Sequence, residues 1–184
     1  MSGRFNILGT PLEGLMRLDR IRMGDERGWL ERMFCAEELR AAGWTSGIAQ
    51  INRTLTLNRG TVRGMHFQNA PHQEAKLVSC LAGEVFDVAV DLRKNSETYM
   101  QWHGERLSAD NAESLLIPEG FAHGFQTLSD KVEMLYFHST AYAPQAEDGL
   151  RPDDPALAIA WPLPISEISA RDRGHKLLSE RARS

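Results

Sequence analysis

Apolar and polar positions change rhythm along this chain. From Ile48 onward the sequence breaks into short runs rich in β-branched and aromatic residues, each closed by turn-forming residues. Runs of that kind predict the strands of a β-sandwich or barrel. The predicted strands are IAQINRTLTL, TVRGMHF, KLVSCL, VFDVAVDL, QWHGERL, SLLIP, AHGFQTL and VEMLYFHS, and the intervening NRG, AGE, SADN, PEG and SDK supply tight turns. Upstream, CAEELRAAG predicts a surface helix, because Ala, Glu, Leu and Arg are strong helix formers and Gly43 stands where a left-handed C-cap belongs. After Ala141 the prolines of APQAEDGLRPDDPALAIAWPLPISE and its loose alternation predict an ordered loop segment. The expected class is mainly β, with a few short peripheral helices.

One strand carries a second message. Gln50, Asn52, Thr54 and Thr56 occupy its even positions, while Ile51, Leu55 and Leu57 occupy odd ones. A strand exposes alternate residues to opposite faces, so one face is polar and the other mostly apolar. The pattern alone leaves open whether the polar face meets solvent or lines a pocket.

The 184 residues, 42% of them hydrophobic, suit one well-buried core and predict a single domain over 1–184. A net charge of -4, with Lys and Arg scattered, makes nucleic acid an unexpected partner. The opening MSGRFNILGTPLEGLMRLDR has no continuous apolar stretch, and no long apolar run follows, so neither a secretory signal nor a membrane span is expected and the cytoplasm is the expected location. Cys35 and Cys80 form no CxxC or Cys/His cluster, and no chemistry is assigned to them.

Six histidines are candidates for chemistry: His66, His72, His103, His123, His138 and His175. His66, in RGMHFQ, sits in a predicted strand near Arg63, and His123 follows the Pro-Glu-Gly turn of PEGFAHGF. Both resemble cupin landmarks. A metal-binding cupin pairs such a histidine with a second imidazole and a carboxylate. Here Gln68 stands in the partner position, so no metal is expected.

The segments GTVRGMHFQ, EAKLVSCLAGEVFDVAVDLR, LIPEGFAHGFQTL, STAYAPQAEDG, DDPALAIAWP and ISARD, in this order and spacing, resemble the dTDP-4-dehydrorhamnose 3,5-epimerase family. The likeness runs from ERGWLE to Asp172. It implies a cupin double-stranded β-helix (jelly roll), a homodimer, no cofactor, and a dTDP-4-keto-6-deoxyhexose substrate in deoxysugar and rhamnose biosynthesis. Residues 1–47 would then be an N-terminal extension contributing to the dimer, and 141–184 a C-terminal loop and helix segment.

Inverting a carbon beside a ketone needs a base on one face, stabilisation of the enolate, and an acid on the other face. By resemblance His66 is the base, and a free imidazole, with a pKa of ~6.5, suits that task near neutrality. Asp172 is the carboxylate that fixes its tautomer, Lys76 the cation beside the keto oxygen, and Tyr136 the opposite-face acid. Arg63, His123 and Tyr142 match substrate contacts. Arg27 and Glu31, in ERGWLE, match residues that reach the partner subunit's nucleotide. Gln50, Asn52 and Thr54 match a pocket strand, which favours the pocket reading of the alternation above. Arg53, Pro152 and His138 depart from the family pattern near the pocket, which bears on the exact sugar and on whether both C3 and C5 are inverted. The competing readings are a sugar-nucleotide 3,4-ketoisomerase, a metal-dependent cupin oxygenase and a non-catalytic sugar-binding module.

Overall fold

Several predicted strands are apolar at consecutive positions rather than alternate ones, which requires cover on both faces of a sheet. The computed structural model, which describes residues 3–181, supplies that cover as layers. In chain order the elements are β1 (Phe5–Gly9), β2 (Met16–Arg20), β3 (Met23–Asp25), β4 (Gly28–Leu30), α1 (Ala36–Leu39), β5 (Gln50–Thr56), β6 (Thr61–Gln68), β7 (Lys76–Ala82), β8 (Glu84–Asp91), β9 (Trp102–Ser108), β10 (Glu113–Ile117), β11 (Phe121–Thr127), β12 (Val132–His138), β13 (Glu147–Gly149), β14 (Glu167–Ile168), α2 (Ala170–Arg173) and α3 (Leu178–Arg181). One six-stranded sheet runs β1-β2-β10-β7-β12-β5, and a second runs β13-β6-β11-β8-β9, with β14 added parallel to β6. The short β3–β4 ribbon stands apart from both.

The core between the sheets is built from alternate residues: Val78 and Cys80 of β7, Leu115 and Ile117 of β10, and Met134 of β12 meet Val85 and Ala89 of β8 and Phe121 and Phe125 of β11. The residues between them point outward and are covered in turn. Leu77, Leu116 and Phe137 pack under Leu39 and Trp44 of the N-terminal segment, and Val88, Val90 and Ala122 pack under Leu150 and Leu157 of the C-terminal segment. Each fully buried side chain of this size contributes about 1.5–3 kcal/mol. Both sheets therefore depend on chain outside the central strands.

The runs from Gln50 to His138 form strands close to the predicted limits. The predicted helix is shorter than its composition suggests, because only Ala36–Leu39 is α-helical and Arg40–Ala42 tighten into a 3-10 turn. It ends at Gly43, whose φ of 99° is the left-handed cap expected there. The stretch after Ala141 holds α2 and α3 and also two short strands that its loose pattern did not predict, β13 and β14.

Candidate active site

Along several strands the inward-facing residues change from apolar to polar toward one end of the core, and that change defines a pocket of about 880 Å³ between the sheets. On β7 the inward series reads Lys76, Val78, Cys80, and on β12 it reads Val132, Met134, Tyr136, His138. The first sheet thus contributes Gln50, Asn52 and Thr54 from β5, Lys76 from β7, and Tyr136 and His138 from β12. Arg63, His66 and Gln68 from β6 and His123 from β11 form the opposite wall.

Arg63 and His66 share that wall although they are three residues apart, a spacing that puts side chains on opposite faces of a regular strand. Their partners on β11 are Phe125 and His123, only two apart, so β6 carries one extra residue. Gly64 makes the irregularity possible: its φ is +131°, and a Cβ there would lie 2.5 Å from the Cα of Gly124.

His66 Nε2 lies 2.7 Å from Asp172 Oδ1. Asp172 is 3% exposed, and its position is fixed by α2, whose N-cap Ser169 accepts the Asp172 backbone N–H at 3.0 Å. Burial works to raise the Asp172 carboxyl, but the hydrogen bond and charge of His66, with help from the Gly64 N–H and Ser169, hold it below the ordinary range. A carboxylate only accepts, so Nε2 carries the proton and the other ring nitrogen, Nδ1, is left bare in a neutral imidazole. Arg171 Nη2 also approaches His66 Nε2 at 3.2 Å, and the guanidinium is held by Glu147 at 2.9 Å.

Lys76 is buried, with Nζ donating to the backbone carbonyl of His66 at 3.3 Å and lying 3.1 Å from Glu74 Oε1. An ammonium has three N–H donors, so one remains for a ligand. Tyr136 is 9% exposed, with its hydroxyl 3.5 Å from Thr54 Oγ1, and burial pushes the phenol well above its usual range. The Tyr136 ring meets His123 edge-on, and His123 Nε2 is 2.8 Å from Asp87 Oδ1 in the interior.

Of the residues singled out in the sequence, Gln50, Asn52, Thr54, Arg63, His66, Lys76, His123, Tyr136, Tyr142 and Asp172 all line this one pocket. Tyr142 sits at its rim, with its N–H on Gln50 Oε1 and its hydroxyl on Glu147 Oε2. The Arg63 side chain makes no hydrogen bond among the described residues and is exposed. Arg27 and Glu31 are not brought there. Arg27 projects from the β3–β4 ribbon against Asp25 at 2.6 Å, and Glu31 is engaged by Arg20 at 3.1 Å and Arg22 at 2.9 Å.

Both N–H groups of the Gln68 carboxamide go to the carbonyls of His72 and Ala141, and its oxygen accepts from the Ala143 N–H. Among the described residues no group of three or more His, Cys, Asp or Glu side chains is arranged to hold a metal. Sequence reasoning missed Glu74, Glu147, Arg171 and Asp87. Glu74 lies in the loop before β7, where strand alternation gives no face to read. Glu147 and Arg171 come from the irregular C-terminal segment, where no periodicity points inward.

Comparison with known proteins gives a consistent result. Residues 9–180 match the family described as dTDP-4-dehydrorhamnose 3,5-epimerase. A dTDP-4-dehydrorhamnose 3,5-epimerase of Methanothermobacter thermautotrophicus is 41% identical, with 96% of each chain covered. A dTDP-4-dehydrorhamnose 3-epimerase of Streptomyces niveus is 39% identical over 92% of this chain and 82% of its own. The crystal structure of a dTDP-6-deoxy-D-glucose-3,5-epimerase from Legionella pneumophila Philadelphia 1, in complex with dTDP-4-keto-L-rhamnose, superimposes with a TM-score of 0.89 at 40% identity, covering 95% of this chain and 93% of that one.

Proposed function

The chain belongs to the dTDP-4-dehydrorhamnose 3,5-epimerase family, and from that membership we propose how it works as a sugar-nucleotide epimerase on a dTDP-4-keto-6-deoxyhexose. The observation that carries the reading is that His66, backed by Asp172, and Tyr136 stand on different sheets across one pocket, with Lys76 beside them.

In the proposed reaction the sugar lies between the sheets. The bare Nδ1 of His66 takes the proton from the carbon next to the keto group. The electron pair moves onto the C4 oxygen, and the remaining N–H of Lys76 stabilises that enolate. Tyr136 returns a proton from the opposite wall, so the carbon is inverted. Burial keeps the Tyr136 phenol protonated between turnovers, as an acid must be. Arg63, exposed at the pocket with a side chain free of hydrogen bonds among the described residues, suits the diphosphate through its planar fork.

We also read the working form as a homodimer. Ile51 and Leu55 of β5, an edge strand, face outward, as does Leu57 just beyond it: they are 55%, 51% and 60% exposed, with Arg53 between them tied to Glu133. An exposed apolar face on a sheet edge calls for a partner. Arg27, free of its own pocket on the β3–β4 ribbon, is then available to a neighbouring subunit's nucleotide, with Glu31 supporting the ribbon. Among the described residues no helix is long and apolar enough to cross a membrane.

The test is incubation with dTDP-4-keto-6-deoxyglucose in deuterated water, with NMR at each carbon. Deuterium at C3, C5 or both, with inversion, is the expected outcome and tells which centres react. A carbonyl that moves to C3 with no inversion would establish the ketoisomerase instead.

A further inference from the structure

Lys76 and His138 are directly paired across β7 and β12, and strand alternation turns both inward. A buried ammonium so placed needs a counter-charge, and an imidazole beside it needs an acceptor. Glu74 supplies it: Oε1 is 3.1 Å from Lys76 Nζ, and Oε2 is 2.8 Å from His138 Nδ1. All three side chains line the pocket and are almost wholly buried. Burial opposes the Glu74 charge, but the His138 hydrogen bond and the nearby Lys76 hold the carboxyl below its ordinary range, so it stays ionised.

Because an ionised carboxylate only accepts, His138 Nδ1 carries the proton, and Nε2 of the neutral ring is an open acceptor. Its polar neighbour is Asn52 Nδ2 at 3.4 Å, at the long limit of a hydrogen bond. The ring is also stacked on Tyr136, with centroids 6.2 Å apart and an interplanar angle of 27°. A buried imidazole with one nitrogen clamped and the other loosely met, on a pocket wall, is arranged to receive a donor. The mere bracing of β5, β7 and β12 would be served as well by apolar side chains.

We propose that His138 is a specificity-determining residue whose Nε2 accepts a hydrogen bond from a hydroxyl of the bound sugar, and that Glu74 is a positioning residue holding Lys76 and His138 with one oxygen each. This rests on the epimerase reading. A site with an acceptor fixed in this way favours sugars that keep the matching hydroxyl and discriminates against their deoxy analogues, because the imidazole nitrogen is then buried unpaired.

The test compares binding of dTDP and of dTDP-glucose, an unreactive probe that retains the sugar hydroxyls, by titration calorimetry on the parent, His138→Phe and Glu74→Gln. His138→Phe keeps a ring against Tyr136. It should weaken dTDP-glucose roughly three- to tenfold, the scale of one hydrogen bond, and leave dTDP unchanged. Glu74→Gln should act in the same direction through a loosened imidazole. With the reactive sugar, His138→Phe should raise KM by a similar factor and change kcat less. Equal weakening of both ligands, with a lowered Tm, would show a structural brace and overturn the proposal, as would unchanged affinity for both. The deuterium experiment on the parent judges the epimerase reading separately, because dTDP-glucose binding requires no turnover.

Discussion

His66 and Asp172 are 106 residues apart in the chain, yet Nε2 and Oδ1 meet at 2.7 Å because α2 folds back against β6. The contact fixes which imidazole nitrogen is protonated, and this has a kinetic consequence. His66→Asn should lower both solvent exchange and inversion by about a hundredfold or more, the scale of a lost general base. Asp172→Asn leaves a base that is no longer held in one tautomer, so kcat should fall strongly while KM for the sugar nucleotide moves little. Steady-state kinetics on both variants, with circular dichroism to confirm folding, checks this. An Asp172→Asn enzyme with parental kcat would remove the dyad from the mechanism.

Tyr136→Phe separates the two faces of the sugar. His66 can still remove a proton and return a deuteron from solvent to the face it left, so exchange should outlive inversion. Deuterium content and product stereochemistry measured on the same samples decide. If Tyr136 only fills the core, the Phe ring preserves its packing and inversion proceeds at the parental rate.

Mixing Arg27→Ala chains with His66→Ala chains tests whether the site is shared. In a hybrid dimer one pocket receives an intact His66 from one subunit and an intact Arg27 from the other, so activity absent from either variant alone should return. Hybrids that form, as seen by native mass spectrometry, and stay inactive would mean each chain builds its site alone.

Stability should fall in acid. Asp91 is buried, which opposes its charge, but Arg93, Ser96 and Thr98 all donate to it and hold its carboxyl far below the ordinary range. Asp172 and Glu74 are lowered as well. A carboxyl with a lowered folded pKa stabilises the fold fully above its unfolded value and loses that contribution as the pH falls toward the folded value. These carboxylates should therefore add no slope from about pH 8 to 5 and make Tm drop below about pH 4. Asp91→Asn should cost about 2 kcal/mol at pH 7, a Tm loss of several degrees, and flatten the acid slope. Calorimetry across that range checks both statements.

The central strands were legible because turn residues bracket each run and the inward positions keep period two. β1 was not, since FNILG shows no clean alternation, and β2 was not, since its alternation spans only five residues and buries a charged one, Arg20. β13 and β14, of three and two residues, are too short to show any period. The same contrast holds in the pocket. The Gln50, Asn52, Thr54 face could be seen in the sequence, whereas Asp172 and Tyr136 were identified only by resemblance. The bridge from Lys76 through Glu74 to His138 needs two strands and a loop brought together, and no one-dimensional pattern encodes that.

At Gly64 and Gly124 two backbones approach so closely that a methyl group on either would overlap the other. The wall on which Arg63 and His66 stand is thus set by main chain, before Asp172 holds the imidazole in place. Laboratory evolution could therefore exchange residues around the sugar, outside the reacting His66, Asp172, Lys76 and Tyr136, and retune which hydroxyls are recognised. The two glycines lie outside that freedom, because one added carbon there would turn the base away from every substrate alike.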